Sequence, residues 1–153
     1  MSNLDELYQE VILDHNRNPR NFRTIEGATN YAHGKNPLCG DDYEVYFNID
    51  ANGIIQDVGF QGAGCAISKS SASVMTTLVK QKTLAEALEL AKTFHLLVTQ
   101  DEVAAEIKTK AGKLKIFEGV KKFPVRVKCA MLAWRALEDA LTSKDATHVV
   151  STE

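Results

Sequence analysis

Cysteine, proline and tryptophan are all scarce in this sequence, and long apolar runs are missing. Its 153 residues include three cysteines, three prolines and one tryptophan. An odd cysteine count with no C-x-x-C pair argues against a disulfide framework and against the spacing of a zinc finger. No apolar run approaches the ~20 residues of a membrane span, and the first seven residues lack the basic and apolar regions of a signal peptide. We therefore expect a cytoplasmic protein with no membrane partner, whose thiols serve metal binding or thiol chemistry.

The charges of the chain are nearly balanced, with 18 Lys and Arg against 20 Asp and Glu. A net charge of -2 gives no whole-chain reason to bind nucleic acid, so no nucleic-acid partner is predicted. A chain of this length buries roughly 68–70% of its unfolded surface and folds without a disulfide or a metal. Because no repeat or linker is present, we predict one domain over residues 1–142. The segment 143–153 has no hydrophobic period and is expected to be a disordered tail.

Hydrophobic periodicity divides the first half of the chain into a helix and a hairpin. Apolar residues recur at helical spacing over residues 3–17, and a proline shortly afterwards ends the pattern. Two alternating runs, 43–49 and 54–60, flank Asn52-Gly53, which is a typical hairpin turn. A third strand is predicted within residues 27–36.

The second half of the chain has mainly helical patterns. Thr83-Leu-Ala-Glu86 matches a capping box and predicts the start of a helix, whereas Gly112–Lys122 is charged, weakly patterned and expected to be exposed. Further helices are predicted from Cys65 to Lys80, from Asp101 to Lys110, and from Val127 to Leu141, with Cys129 in the first turn of the last one. Strands first and helices afterwards predict an α+β fold, in which helices pack on one face of a small antiparallel three-stranded sheet.

Each cysteine lies at a turn or at a predicted helix start. Cys39 is followed by a glycine and by Asp41, so a thiol and a carboxylate lie two residues apart on a flexible turn. Cys65 follows Gly-Ala-Gly at a helix start, where the helix dipole favours a thiolate. Cys129 follows two cations that act in the same way. We therefore predict that the three thiols share one site.

Such a site also suits a metal ion. Three thiolates and the Asp41 carboxylate would give a four-coordinate site rich in sulfur, which suits Zn²⁺ best among common divalent ions, with iron as the other candidate. With zinc bound it would carry two negative charges, and Arg126, Lys128 and helix amides are placed to offset them. Other interpretations stay open, because a buried cysteine is often a small core residue, an Asp beside Gly is often a turn residue, and basic residues usually face solvent.

Five stretches of the sequence, taken in order, resemble a known family. They are Tyr8–Asn21, Asn36–Asp41, Gly53–Phe60, Gly64–Ser68 and Val127–Cys129. Together they span nearly the whole chain and resemble the N-terminal domain family of the IscU, SufU and NifU proteins, and five ordered motifs are far more specific than one. The resemblance implies a SufE/IscU-like α+β fold and a role in iron–sulfur cluster biogenesis. It also implies that a cysteine desulfurase supplies sulfur and that downstream iron–sulfur assembly proteins are partners.

Within this family the sequence resembles the SufU subtype more than the IscU scaffold subtype. Scaffold members carry a histidine before the third cysteine and a Leu-Pro-Pro-Val-Lys chaperone motif, whereas this chain has Lys128 and the segment 122–126 at those places. The chain also carries extra residues, roughly 95–120, before its last helix, which is long for a helix connection. These departures are features of SufU.

Resemblance to SufU implies a zinc-dependent sulfurtransferase that accepts persulfide sulfur from a SufS-like desulfurase. It assigns the zinc ligands to Cys39, Asp41, Cys65 and Cys129, the sulfur acceptor to Cys39, and a basic catalytic residue beside the site to Arg126. The implied mechanism is ligand exchange, in which a desulfurase histidine replaces Cys39 on zinc and frees its thiolate. The alternatives are a scaffold that assembles a [2Fe-2S] cluster at the same residues and an interaction protein whose zinc serves only the fold.

Overall fold

A computed structural model describes residues 3–142 and 149–152 as a sheet packed against helices. The elements, in chain order, are α1 Asn3–Arg17, β1 Asn30–Asn36, β2 Asp41–Ile49, β3 Ile55–Ala63, α2 Ala66–Val79, α3 Leu84–Thr99, α4 Ala105–Ala111, a 3₁₀ helix Gly112–Lys122, α5 Pro124–Thr142 and β4 Val149–Ser151. Within these two described ranges, none of the helices combines the length and the apolar character that a membrane crossing needs.

The strands β1, β2 and β3 form an antiparallel sheet in chain order, which confirms the predicted three-stranded sheet. The turn between β2 and β3 is built on Asp50, whose Oδ1 accepts hydrogen bonds from Asn52 N at 2.8 Å and from Ile54 N at 3.0 Å. Gly53 in this turn has a φ of +77°, a conformation that favours glycine. The hairpin predicted around Asn52-Gly53 is therefore confirmed.

A short further strand, β4, pairs in parallel with β1 and corrects the expectation of a disordered tail for its three residues. His33 to Lys35 face Val149 to Ser151, and Thr152 N donates to Lys35 O at 3.1 Å. Backbone pairing at the edge of the sheet defines this strand, so a search for hydrophobic periods does not find it. Residues 143–148 and 153 of the predicted tail lie outside the described residues.

One face of the sheet is apolar and is covered by helices, as predicted. Alternate residues of β2, namely Tyr43, Val45 and Phe47, are fully buried, whereas the residues between them are half-buried or exposed. Helices α2 and α5 pack on the buried face, and α5 contributes the fully buried Leu132 and Trp134. Each large apolar side chain in this layer stabilises the fold by ~1.5–3 kcal/mol, and the layer fixes the position of α5 over the sheet.

Local sequence sets the ends of several helices. Thr83 Oγ1 accepts a hydrogen bond from Glu86 N at 3.1 Å, and Glu86 Oε1 accepts one from Thr83 N at 3.0 Å, so the predicted capping box is present. The helix predicted over residues 3–17 is confirmed as α1. Helix α4 begins at Ala105, four residues later than predicted from Asp101.

The expectation that Gly112–Lys122 is exposed is wrong. This segment is a 3₁₀ helix in which Leu114, Phe117 and Val120 are buried. These three residues recur at every third position, and a 3₁₀ helix has three residues per turn, so they lie on one side. Phe117 meets Phe94 of α3 edge-on, with 5.8 Å between the ring centroids. The segment is therefore part of the hydrophobic core.

Candidate metal centre

The turn between β1 and β2 carries Cys39 and ends at Asp41. It is tight, because Gly40 has a φ of +71° and Cys39 N donates to Asn36 O at 3.2 Å. Cys129 reaches the same place from α5. The possible ligand atoms of Cys39, Asp41 and Cys129 all lie within 4.8 Å of one another. The structure therefore brings together three of the four predicted metal ligands.

Asp41 is buried and is held through one of its oxygens. Its Oδ1 accepts hydrogen bonds from Cys65 N at 2.9 Å and from Ser68 Oγ at 3.0 Å. Gly64 packs so closely that a Cβ atom there would lie 2.4 Å from the same oxygen, so a larger residue would displace the carboxylate. Because Oδ1 already accepts two hydrogen bonds, Oδ2 is the oxygen better placed to bind a cation.

Asn36 is fully buried between Asp41 and Cys129. Its Nδ2 lies 3.5 Å from Asp41 Oδ2 and 3.6 Å from Cys129 Sγ. Its Oδ1 is buried and has no hydrogen-bond partner within the described part of the chain. No role for Asn36 or Ser68 is predicted from the sequence.

Cys65, the fourth predicted ligand, lies outside this group. It is the N-cap residue of α2, as its predicted place at a helix start requires, and its Sγ accepts a hydrogen bond from Ser68 N at 3.4 Å. The thiol is half-buried and lines the same pocket as Cys39 and Cys129. The structure therefore places Cys65 beside the group, with its sulfur directed toward the start of α2.

The surroundings of Cys129 differ from those expected. Helix α5 begins at Pro124, so Cys129 lies in its second turn, where the backbone amides already have partners within the helix. Burial raises the pKa of the Cys129 thiol well above its ordinary value, and Cys39 and Asp41 raise it further. Cys129 therefore lies one turn later in the helix than predicted, and a bound cation would favour its thiolate.

The two predicted cations lie on different sides of α5. Arg126 is exposed and lines the pocket with the cysteines, and its guanidinium lies 5.4 Å from the centroid of the Phe123 ring. Lys128 instead lines a separate cavity of about 210 Å³ between α3, α5 and β4. Arg126 is therefore the cation that lines the pocket with the cysteines, whereas Lys128 lines a different cavity.

An open pocket of about 550 Å³ gives access to the thiols. Ile12 and Leu13 of α1 form one wall, and Val125 of α5 forms another. Cys129 is 2% exposed, whereas Cys39 is partly exposed on its turn. A molecule that enters the pocket therefore reaches the sulfur of Cys39 more easily than that of Cys129.

The sequence pattern over residues 7–148 matches the family described as the NifU-like N-terminal domain. The chain belongs to this family. Its relatives in the family include the zinc-dependent sulfurtransferase SufU of Bacillus subtilis, which is 38% identical over 144 residues that cover 94% of this chain and 95% of SufU. The iron–sulfur cluster assembly scaffold protein IscU of Streptococcus pyogenes is 37% identical, with 97% of this chain and 92% of IscU covered.

Solved structures agree with this membership. A crystal structure from Fervidobacterium islandicum AW-1, described as an iron–sulfur cluster assembly scaffold protein for the SUF system, superposes with a TM-score of 0.81. It is 38% identical, and the match covers 90% of this chain and 98% of that one. The IscU/SufU-like fold predicted from the sequence is therefore confirmed.

The residues of this NifU-like domain fit a bound metal ion. Two sulfur donors and one carboxylate converge within 4.8 Å, a set that suits zinc or iron better than magnesium or calcium. The unpartnered Oδ1 of Asn36 leaves an acceptor beside these donors, which a water molecule bound to a metal could satisfy. A divalent cation would also reverse the effect of burial on Cys129, because a coordinating thiol loses its proton.

Proposed function

We propose that the chain is a zinc-dependent sulfurtransferase of iron–sulfur cluster assembly. It accepts persulfide sulfur from a SufS-like cysteine desulfurase on Cys39 and passes the sulfur to downstream assembly proteins in the cytoplasm. The observation that carries this proposal is the convergence of Cys39, Asp41 and Cys129 within 4.8 Å in an open pocket. The similarity to the zinc-dependent sulfurtransferase of Bacillus subtilis supports it.

The four proposed ligands divide into buried and accessible groups. Asp41 and Cys129 are each 2% exposed, and the protein fixes the Asp41 carboxylate through Ser68 and a backbone amide. Cys65 is the fourth ligand in this proposal, since its half-buried thiol lines the same pocket. Zinc, when bound, supplies a positive charge that keeps neighbouring thiols deprotonated. Cys39 and Cys65 are both partly exposed in this pocket, and Cys39 lies on the turn between β1 and β2.

Sulfur transfer requires the Cys39 thiolate in the open pocket. Its Sγ attacks the outer sulfur of the desulfurase persulfide, so a new S–S bond forms at Cys39 and the S–S bond of the donor breaks. The donor cysteine leaves as a thiolate, and the proton of the persulfide stays on the transferred sulfur. Arg126 at the pocket wall is the cation that would stabilise the departing donor thiolate.

A second candidate function is a scaffold for a [2Fe-2S] cluster at the same residues. It is favoured by relatives described as scaffold proteins, which cover most of the chain. Lys128 argues against it, because the family resemblance gives this position to a histidine ligand of scaffold proteins. Here Lys128 lines a cavity that does not include the cysteines, and lysine is a poor cluster ligand.

The variant Cys39→Ser tests the proposed function. We would incubate the wild type and the variant with the desulfurase of the same organism and with cysteine that is radiolabelled at sulfur. Circular dichroism would verify that the variant is folded. We expect label on the wild-type chain and none on the variant. Equal labelling would show that Cys39 is not the acceptor.

The same variant separates the other candidates. A protein whose zinc serves only the fold would keep its full effect on desulfurase turnover after Cys39→Ser, and chelation would unfold it. A scaffold would accept iron and sulfide anaerobically and transfer the cluster to an apo-ferredoxin faster than free reagents do. Desulfurase turnover with and without zinc therefore decides among the three.

A further inference from the structure

Positive charge is concentrated in one part of this chain. Residues 105–128 carry eight Lys and Arg against two Glu, whereas the rest carries ten Lys and Arg against eighteen Asp and Glu. The basic part comprises α4, the 3₁₀ helix and the start of α5. A protein with a small net negative charge therefore has one strongly basic segment, which attracts an acidic partner.

This basic segment lines a groove that leads to the thiols. The pocket at Cys39 shares Gln9, Ile12 and Arg126 with a neighbouring cavity of about 450 Å³ between α1 and the 3₁₀ helix. That cavity in turn shares Tyr8 and other residues with a third cavity of about 450 Å³. We call this continuous depression the α1 groove, and its lining includes Tyr8, Gln9, Ile12, Lys115, Lys122 and Arg126.

Most of the charge that faces the α1 groove is positive, because its described lining includes five basic residues, Lys108, Lys115, Lys121, Lys122 and Arg126, against the two acidic residues Asp5 and Glu118. Two lysines there, Lys108 and Lys121, form ion pairs with Glu118 at 3.5 and 3.4 Å. Lys115 and Lys122 form no ion pair with any residue that the structure describes. The groove therefore has unpaired cations that could bind carboxylates of a partner.

Exposed apolar side chains lie at the end of the groove nearest the thiols. Phe123 is 55% exposed, Val125 is 54% exposed and Leu13 is 42% exposed. Phe123 lines the cavity next to the pocket at Cys39, and Leu13 and Val125 line that pocket itself. Exposed apolar side chains that line one depression together with unpaired cations are typical of a protein-binding site.

We propose that the α1 groove binds an acidic segment of the sulfur donor, with apolar side chains of that segment on Phe123 and Val125. This inference rests on the proposed function, because a donor that brings its persulfide to Cys39 must occupy the pocket from which the groove continues. Lys115 and Lys122 attract the carboxylates of the segment, and the apolar contacts hold it in place.

A charge-reversal double variant tests the electrostatic part. Lys115→Glu/Lys122→Glu is compared with Lys82→Glu/Lys92→Glu, which makes the same charge change at exposed residues outside the groove. Titration calorimetry measures the affinity for the desulfurase of the same organism at low and high ionic strength. We expect the groove variant to bind about tenfold more weakly at low ionic strength, with a smaller difference at high ionic strength. The control variant should stay within about twofold of the wild type.

The variant Val125→Ala tests the apolar part. Its loss of affinity should be the same at both ionic strengths, since this contact involves no charge. Equal affinities of the groove variant and the wild type would refute the inference. Equal weakening of the groove and control variants would show a general charge effect and would refute it as well.

A readout without the desulfurase distinguishes failure of this inference from failure of the proposed function. Sulfur uptake from inorganic polysulfide and zinc content should be unchanged in the Lys115→Glu/Lys122→Glu variant, because neither needs the groove. A wild-type chain that binds the desulfurase but takes up no sulfur on Cys39 would refute the proposed function. The groove would be assigned to nucleic acid if the wild type bound a duplex oligonucleotide tightly and the groove variant lost this binding but still bound the desulfurase.

Discussion

The variant Ser68→Ala should weaken zinc binding, although Ser68 is not a proposed ligand. Ser68 is 1% exposed, and its hydroxyl donates to Asp41 Oδ1 at 3.0 Å. It also lies 3.2 Å from the hydroxyl of Tyr43. Alanine at this position would leave Asp41 with the Cys65 amide as its remaining donor to Oδ1. The carboxylate would then be less well oriented toward the thiols.

The size of the effect follows from the hydrogen bond that is lost. A hydrogen bond to a charged group contributes ~1.5–3 kcal/mol, and 1.4 kcal/mol corresponds to a factor of ten in affinity. Loss of a residue that orients a metal ligand typically weakens binding by about 10–100-fold. Because the Cys65 amide still holds Asp41, we expect the lower end of this range, about tenfold.

The assay is competition for zinc with a chromophoric chelator, and Ser70→Ala is the matched control. Ser70 is fully buried in the same helix, and its hydroxyl donates to Ala66 O at 2.6 Å and not to Asp41. We expect Ser70→Ala to bind zinc like the wild type. An unchanged affinity for Ser68→Ala, or an equal loss in both variants, would refute the role of Ser68 in positioning Asp41.

Two further predictions concern the core. The variant Phe117→Ala should lower the free energy of unfolding, measured by chemical denaturation, by ~3–5 kcal/mol. Lys113 is exposed in the same segment, so Lys113→Ala should change this free energy by less than ~0.5 kcal/mol. A small effect of Phe117→Ala would mean that the 3₁₀ helix is peripheral. Burial lowers the pKa of His15, which is bonded to Ser73, so the folded protein binds that proton less readily than the unfolded chain. The stability contributed by neutral His15 is therefore full above about pH 6.5 and is lost as the pH falls through the lowered pKa. The variant His15→Gln should flatten the dependence of the unfolding free energy on pH. Parallel curves for the variant and the wild type would contradict this.

Much of the fold was predictable because local sequence carries it. The alternation over residues 43–60, the Asn52-Gly53 turn and the Thr83 capping box each depend on neighbours in the chain, and each is confirmed. The 3₁₀ helix was missed because its apolar residues repeat every three positions, a period between those of a strand and an α-helix. The strand β4 was missed because backbone pairing with β1 defines it.

The candidate site was less accessible to local reasoning. The contact between Asp41 and Cys129 depends on how α5 packs over the sheet, and no spacing rule predicts it. The family resemblance predicted that four residues form one metal site, and the structure brings three of them together, Cys39, Asp41 and Cys129. The role of Ser68 and the place of Lys128 depend on side-chain directions, which the sequence does not give. The burial that raises the pKa of the Cys129 thiol depends on how α5 packs against the sheet, which local sequence does not give.

The way in which the site is assembled links metal binding to folding. Asp41 comes from the start of β2, Ser68 from α2 and Cys129 from α5, so their contacts exist only when both helices are packed on the sheet. A metal ion held by Asp41 and Cys129 binds the folded chain in preference to the unfolded one and stabilises it in proportion to the logarithm of its concentration. Cys39 differs, because it lies on a tight turn, partly exposed, and its sulfur can change partners without disturbing that packing. The fold can therefore depend on Asp41 and Cys129 while Cys39 remains free to react.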